Sequence, residues 1–97
     1  MKLLRTAILG CGGFAHRHAG NIVKHPDELE FVAFCDHHAE NAEKFAATYA
    51  GGAAIHTDAH ALLEQEALDL LVICLPPFAH TDEVEAAAAR GVHILME

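Results

Sequence analysis

The chain has 97 residues, enough for one domain and too few for two. Hydrophobic residues make up 53% and charged residues 21%, a balance typical of a globular fold. The 14 acidic and 6 basic residues give a formal net charge of −8, which leaves no basic surface for a nucleic-acid backbone. No apolar run approaches the roughly 20 residues of a membrane span, and the first residues have no secretory signal pattern. We therefore expect a cytoplasmic protein with neither nucleic acid nor membrane as a partner.

An apolar run near the start of the chain leads into a glycine-rich turn. The run covers residues 3–9, and residues 10–15 follow with the pattern Gly-x-Gly-x-x-Ala before a helix-like segment. This pattern is typical of a dinucleotide-binding turn. Gly10 permits the tight turn, Gly12 allows the backbone to approach a pyrophosphate, and Ala15 lets the helix pack on the strand. The N-terminus of that helix would offer its N–H groups to the phosphates.

An acidic residue follows the second apolar run at the position where a ribose-binding acid is expected. Asp36 lies 21 positions after Ala15, and its carboxylate can accept hydrogen bonds from the adenosine ribose hydroxyls. Its negative charge would repel a 2′-phosphate, so we expect NAD to be preferred over NADP. The alternative interpretation is that Asp36 caps the next helix. His37 and His38 follow directly, as cofactor contacts or as solvated loop residues.

Three cysteines, Cys11, Cys35 and Cys74, lie within or at the ends of apolar runs. Their number is odd and their spacing is not that of zinc ligands, so we interpret them as reduced core residues. If the runs are parallel strands, all three lie toward the carboxyl edge of the sheet. We expect no catalytic thiol among them.

Five predicted strands alternate with helices, the pattern of a parallel sheet covered by helices. The predicted strands are residues 3–9, 29–35, 53–56, 68–75 and 92–96. Helices are predicted after the first strand, over residues 40–50 and 59–66, and from His80 or Thr81 to Gly91, with Asp58 as the cap of the third. The apolar helical positions are Ala15, Ala19, Ile22, Val23, Ala42, Phe45, Ala46, Tyr49, Val84, Ala87 and Ala88.

Four segments in order, residues 10–15, 35–36, 74–80 and 91–97, resemble the Gfo/Idh/MocA oxidoreductases. The resemblance covers the whole chain and implies a Rossmann-type α/β fold, a parallel sheet of about five strands in the order 3-2-1-4-5 with helices on both faces. It implies that residues 1–97 are an incomplete NAD(P)-binding domain without the C-terminal substrate domain. The parent protein would transfer hydride between a nicotinamide cofactor, NAD rather than NADP, and a sugar, polyol or related hydroxy compound.

The resemblance also implies roles for individual residues. Gly10, Gly12, Gly13 and Phe14 would surround the pyrophosphate, with Ala15 completing the motif. Asp36 would bind the adenosine ribose, and His37 takes the place of an arginine that often covers the adenine. Leu75, Pro76 and Pro77 would line the nicotinamide side, with His80 at the next helix start and Glu97 near the nicotinamide ribose. Leu75 and Pro77 depart from the threonine and asparagine that the family more often has.

The chain ends one residue before the lysine that the family uses as a catalytic acid or base, so we expect the 97 residues alone to be inactive. A free-standing module that binds or senses a nucleotide is the alternative. A third hypothesis is a metal site built from histidine pairs, of which only His56 and His60 have the i, i+4 spacing of a helix. Because Asp58 between them is better interpreted as a helix cap, we expect most of the histidines to be solvated. Because the fifth strand would be an exposed edge, we also expect a homo-oligomer.

Overall fold

The computed structural model describes residues 3–76, 79 and 81–96. Strands and helices alternate throughout this part of the chain. In order they are β1 (Leu4–Leu9), α1 (Gly13–Ile22), β2 (Leu29–Cys35), α2 (Ala39–Tyr49), β3 (Ala54–His56), α3 (Ala59–Gln65), β4 (Leu70–Ile73), α4 (Glu83–Ala89) and β5 (His93–Met96).

The strands form one parallel sheet in the order β3-β2-β1-β4-β5. This order confirms the predicted Rossmann-type α/β fold. The chain runs outward from β1 through β2 to β3 and then returns to the other side of β1 with β4. Because the connections on the two sides of β1 leave in opposite directions, a crevice opens at the carboxyl end of β1, where such sheets bind ligands.

Each face of the sheet has its own apolar core because side chains alternate along a strand. Ala7 and Leu9 of β1 join the core beneath α3 and α4. Ile8, between them, joins the core beneath α1 and α2. All three are buried, which is the pattern of a central parallel strand covered on both faces.

Small residues let α1 pack closely on the sheet. Ala15 and Ala19 are completely buried, and Ile22 extends the same face by one turn. Phe45 is the largest buried residue of α2 and packs against Phe34 of β2 at a ring-centroid distance of 6.0 Å. These helices therefore pack through the faces that their apolar periodicity predicts.

The structure corrects three details of the predicted elements. Val23 is exposed, because it forms the C-cap of α1 after the helix has turned away from the core. β4 covers only Leu70–Ile73 rather than residues 68–75, and Cys74 still donates its N–H to the Leu9 carbonyl at 2.8 Å beyond the strand. Ala88 is exposed, since the buried face of α4 is set by the i, i+4 pair Glu83 and Ala87.

Helix α4 also begins later than predicted. Its first residue is Glu83 and its N-cap is Asp82, whereas the prediction started the helix at His80 or Thr81. His80 lies outside the described residues, as do Pro77 and Glu97.

Candidate functional site

The turn after β1 is tied to both neighbouring strands. Gly10 donates its N–H to the carbonyl of Cys35 at 2.8 Å, and the Cys11 thiol contacts the same carbonyl at 3.6 Å. On the other side, Cys74 donates to the Leu9 carbonyl at 2.8 Å. The turn is therefore fixed at the carboxyl edge between β2 and β4 by backbone contacts of the protein itself.

Gly10 is required by the packing of the turn. Its φ is +94°, a conformation that residues with a side chain rarely adopt. A Cβ at this position would also lie 2.8 Å from the Cys74 carbonyl oxygen and 3.1 Å from Leu75 Cδ2. The first glycine of the motif thus allows β1 and the end of β4 to approach each other.

Gly12 and Gly13 are not required by the protein's own packing. No atom lies within 4 Å of a Cβ built at either residue, and Gly12 has a φ of −100°, which any residue can adopt. The lack of side chains here leaves the backbone of the turn accessible from outside. This is the surface that a pyrophosphate held against the backbone would need.

The N-terminus of α1 lies directly behind this open backbone. Gly12, its N-cap, provides no capping side chain, and the first turn contains no acidic residue. The first N–H groups of a helix have no acceptor within the helix, and its dipole favours an anion at this end. Phe14, in this first turn, is 74% exposed. The turn and the helix together fit a phosphate-bearing ligand.

Asp36 accepts three hydrogen bonds, one from the glycine-rich turn and two from the start of α2. Its Oδ2 accepts the N–H of Cys11 at 2.8 Å. Its Oδ1 accepts the N–H of His38 at 2.8 Å and the amide Nδ2 of Asn41 at 3.3 Å. Because α2 has His38 as its N-cap and no side-chain cap, Asp36 is not the capping residue of this helix. The half-buried carboxylate instead lies where it can accept hydroxyl groups of a ligand seated on the turn.

A cleft of about 160 Å³ continues from Asp36 toward the start of α3. His37 and Asp58 line it beside Asp36, and Leu75 lines it from the end of β4. Asp58 also accepts the Ala61 N–H at 3.0 Å, which confirms its predicted role as the cap of α3. The cleft is large enough for part of a nucleotide and lies beside the carboxylate that would hold the ribose.

The predicted site residues fall into three groups. The structure brings one group together at the carboxyl edge around the crevice. Ala15 is buried beneath this edge, so its part is to pack α1 on the sheet rather than to touch a ligand. Pro77, His80 and Glu97 lie outside the described residues. The residues at the crevice are Gly10, Gly12, Gly13, Phe14, Asp36, His37, Leu75 and Pro76.

Glu83 is a residue of the cleft that sequence reasoning missed. Only 2% of it is exposed, and its Oε2 accepts both the N–H of Thr81, at 2.7 Å, and the Thr81 hydroxyl, at 2.9 Å. The i, i+4 spacing to the buried Ala87 was the available signal that Glu83 faces inward.

A second missed feature is an ion pair that links α3 with α4. His60 Nε2 lies 2.8 Å from Asp82 Oδ1. The hydrogen bond to Asp82 raises the pKa of His60 above its ordinary value, and the same bond lowers the pKa of Asp82. His60 lines the cleft, so the pair joins the start of α3 to the N-cap of α4 at the cleft's side.

The buried cysteines are held as thiols. Burial raises the pKa of Cys11 to about 12, with a further contribution from the charge of Asp36. Burial likewise raises the pKa of Cys35 to about 12. Neither thiol is therefore a nucleophile at neutral pH, because the thiolate is the reactive form.

The histidines differ in their surroundings. His56 was expected among the solvated ones, but it is buried and lies 2.9 Å from the Glu66 carboxylate, because it ends β3 with its side chain facing inward. Within residues 3–76, 79 and 81–96, no three His, Cys, Asp or Glu side chains are grouped so as to hold a metal ion.

None of the helices in this same part of the chain is long and apolar enough to cross a membrane.

Comparison with known proteins gives matches along nearly the whole chain. Residues 4–97 match the GFO_IDH_MocA family, described as an oxidoreductase family with an NAD-binding Rossmann fold. A dTDP-3,4-didehydro-2,6-dideoxy-alpha-D-glucose 3-reductase of Streptomyces antibioticus is 36% identical over 95 residues, which cover 97% of this chain and 28% of that protein. An inositol 2-dehydrogenase of Streptomyces avermitilis is 30% identical over 99% of this chain and 28% of its own length.

Solved structures give the same result. The WlbA dehydrogenase of Bordetella pertussis, in complex with NADH and UDP-GlcNAcA, matches with a TM-score of 0.87 and 28% identity. The match covers 98% of this chain and 28% of the WlbA chain. The chain thus spans less than a third of the length of the relatives that it matches.

Proposed function

Because the chain belongs to the Gfo/Idh/MocA oxidoreductase family and has that family's NAD-binding Rossmann fold, we propose that it is the cofactor domain of a larger dehydrogenase. The parent protein transfers hydride between NAD and a sugar, polyol or related hydroxy compound. The observation that carries this proposal is the position of the Asp36 carboxylate, held 2.8 Å from the N–H of Cys11 within an otherwise open glycine-rich turn.

The phosphates of the cofactor lie against the backbone of Gly12, Gly13 and Phe14. This assignment is supported by the uncapped N-terminus of α1 and by the open space at both glycines. Gly10 contributes to phosphate binding indirectly, because its positive φ and its close approach to Cys74 shape the turn.

The adenosine half of the cofactor lies on the β2 side of the turn. Asp36 accepts hydrogen bonds from the ribose hydroxyls, and its charge disfavours the 2′-phosphate of NADP. His37 lines the cleft beside Asp36 and contacts the adenine. Support comes from the cleft that continues from Asp36 toward α3.

The nicotinamide half lies on the β4 side, near Leu75 and Pro76. The resemblance to the family extends this side to Pro77, His80 and Glu97. When bound, NAD supplies the hydride acceptor or donor of the reaction. These 97 residues bind and orient the cofactor, and we assign none of them as the acid or base that moves the substrate's proton. On its own, therefore, the chain binds NAD without turning over a substrate.

The substrate class is drawn from the relatives, among which are a reductase named for a dTDP-sugar and a dehydrogenase named for inositol.

We assign the protein to the cytoplasm, where disulfides are rare, on the support of its buried thiols. Fractionation of cells that make the protein tests the location.

Titration calorimetry of the protein with NAD, NADH and NADP tests the proposed function. We expect both NAD and NADH to bind, and NADP to bind more weakly because its 2′-phosphate meets the Asp36 carboxylate. Binding of neither nicotinamide dinucleotide would overturn the cofactor assignment. Tighter binding of NADP than of NAD would overturn the role given to Asp36.

A further inference from the structure

The hydrogen bonds of Asp36 single out a residue on α2. Two of its three donors, the N–H groups of Cys11 and His38, belong to the backbone and are present whatever side chains stand there. The third donor is the Nδ2 of Asn41, at 3.3 Å from Asp36 Oδ1. Among the described contacts of this carboxylate, Asn41 is the one side chain that holds it.

The position of Asn41 in α2 explains how it reaches Asp36. It is the third residue of the helix, and its own N–H bonds to the carbonyl of His38 at 2.9 Å. Side chains of a helix tilt toward its N-terminus. The amide therefore extends back over the start of α2 to the carboxylate at the end of β2.

The chemistry of an amide suits this task. Asn41 is neutral, so it fixes one oxygen of Asp36 without neutralising the negative charge that selects against a 2′-phosphate. A lysine or arginine in the same place would hold the carboxylate and cancel that selectivity. Asn41 and Cys11 also line one open groove between α1 and α2, so the two contacts on opposite carboxylate oxygens belong to a single surface.

We propose that Asn41 is a positioning residue for cofactor selection: it orients the Asp36 carboxylate toward the adenosine ribose and so sets the preference for NAD over NADP. This inference rests on the proposed function. If Asn41 is removed, Asp36 keeps its charge but rotates more freely. NAD then loses part of its hydrogen bonding, and NADP meets a carboxylate that can turn away.

Asn41→Ala is the first test, with affinities for NAD and NADP measured by calorimetry. A hydrogen bond to a charged group contributes enough that we expect NAD to bind about three- to tenfold more weakly. We expect NADP affinity to change less, so that the ratio of the two affinities narrows. Asn21→Ala is the matched control, because it makes the same change at an exposed residue near the C-terminal end of α1.

Asn41→Asp is the second test and preserves the size of the side chain. An acidic residue in the first turn of α2 is favoured by the helix dipole, so this variant keeps the fold. It places a negative charge beside Asp36 and removes the donor. We expect NAD to bind more weakly than to Asn41→Ala.

The outcomes separate the two proposals. Failure of the unaltered protein to bind NAD overturns the proposed function and this inference with it. Normal NAD binding by the unaltered protein and by both Asn41 variants overturns this inference alone. An equal loss of NAD and NADP affinity in Asn41→Ala also overturns it, because that result reports damage to the site rather than a loss of selection.

Discussion

At the scale of single residues, Asp36 has two roles. Its carboxylate fixes the N–H of Cys11 in the glycine-rich turn at 2.8 Å, and in the proposed complex it also accepts the ribose hydroxyls. In the proposed complex, Asp36 thus both orders the glycine-rich turn and contacts the cofactor.

Asp36→Ala removes both the hydrogen bond to Cys11 and the proposed contact with the ribose. Since hydrogen bonds to a charged group are each worth about 1.5–3 kcal/mol, we expect NAD affinity to fall by roughly 10- to 100-fold. NADP affinity should fall less, because repulsion of its 2′-phosphate is lost as well. Calorimetry with both cofactors measures the change, and Asp27→Ala, at an exposed aspartate outside the site, is the control. Unchanged affinities would refute the ribose role.

Alanine substitutions at Gly10 and at Gly12 should have different effects, the first on stability and the second on NAD binding. Gly10→Ala introduces a Cβ 2.8 Å from the Cys74 carbonyl at a φ of +94°, so we expect a loss of about 2–4 kcal/mol in the free energy of unfolding. Gly12→Ala introduces a Cβ into open space, so its stability should stay close to that of the unaltered protein. It should nevertheless lose NAD affinity, because the methyl group occupies the pyrophosphate's place.

Thermal denaturation and calorimetry on the two variants check this separation. A Gly12→Ala protein that binds NAD as tightly as the unaltered chain would show that the phosphates do not rest on this backbone. A Gly10→Ala protein of unchanged stability would contradict the steric argument.

At the scale of elements, the ion pair between α3 and α4 makes stability depend on pH. The pKa of His60 is raised above 6.5, so its stabilisation is fully present below pH 6.5 and is lost as the pH rises through the folded-state value. The pKa of Asp82 is lowered below 3.8, so its stabilisation is present above pH 3.8 and is lost as the pH falls through the lower folded-state value. The pair contributes most between these limits.

His60→Gln should make the stability of the protein depend less on pH. We expect the melting temperature of the unaltered protein to fall, relative to that of the variant, as the pH rises from about 5.5 to about 8. The difference should be small and should shrink with added salt, because both side chains are largely exposed. His93→Gln, at an exposed histidine of β5, is the control. Parallel melting curves for the unaltered protein and His60→Gln would show that the pair does not stabilise the fold.

The elements show which parts of the structure could be predicted from sequence. The fold was predicted correctly because the alternation of apolar runs and helical periods is local, and because the family resemblance gave the strand order. The start of α4 was not predicted, since Thr81 and Asp82 are both acceptable caps and the choice depends on Glu83 being buried. The inward side chain of His56 depends on Glu66, ten residues away, which no local pattern indicates.

For the candidate site too, local motifs were predictable and contacts between elements were not. The glycine spacing and Asp36 follow from local motifs, and the structure brings them together. The contact of Asn41 with Asp36 and the pair of His60 with Asp82 depend on how elements pack, so no spacing rule identified them. Pro77, His80 and Glu97 remain predictions that come from the family resemblance.

At the scale of the whole molecule, β5 is an edge of the sheet. It pairs with β4 on one side, and within the described residues no strand pairs with its other side. Leu95 is 46% exposed and Met96 is 54% exposed. An apolar strand edge of this kind is a template for pairing with another chain.

We therefore expect the 97-residue protein to self-associate as its concentration rises. Leu95→Lys should reduce the association, because a charged residue protects a strand edge. Leu4→Lys, at a leucine of similar exposure on the central strand β1, should reduce it less. Sedimentation velocity over a range of concentrations measures both. A monodisperse monomer at every concentration would contradict this prediction.

The central claim is that NAD binds across the carboxyl edge of the sheet, over the turn between β1 and α1. A titration of the ¹⁵N-labelled protein with NAD, followed by amide NMR shifts, tests it most directly. We predict that the largest shifts occur at Cys11, Gly12, Gly13 and Phe14 and in the segment that begins at Asp36. Shifts confined to the opposite edge of the sheet, around Arg5 and Asp69, or no shifts at saturating NAD, would contradict the account.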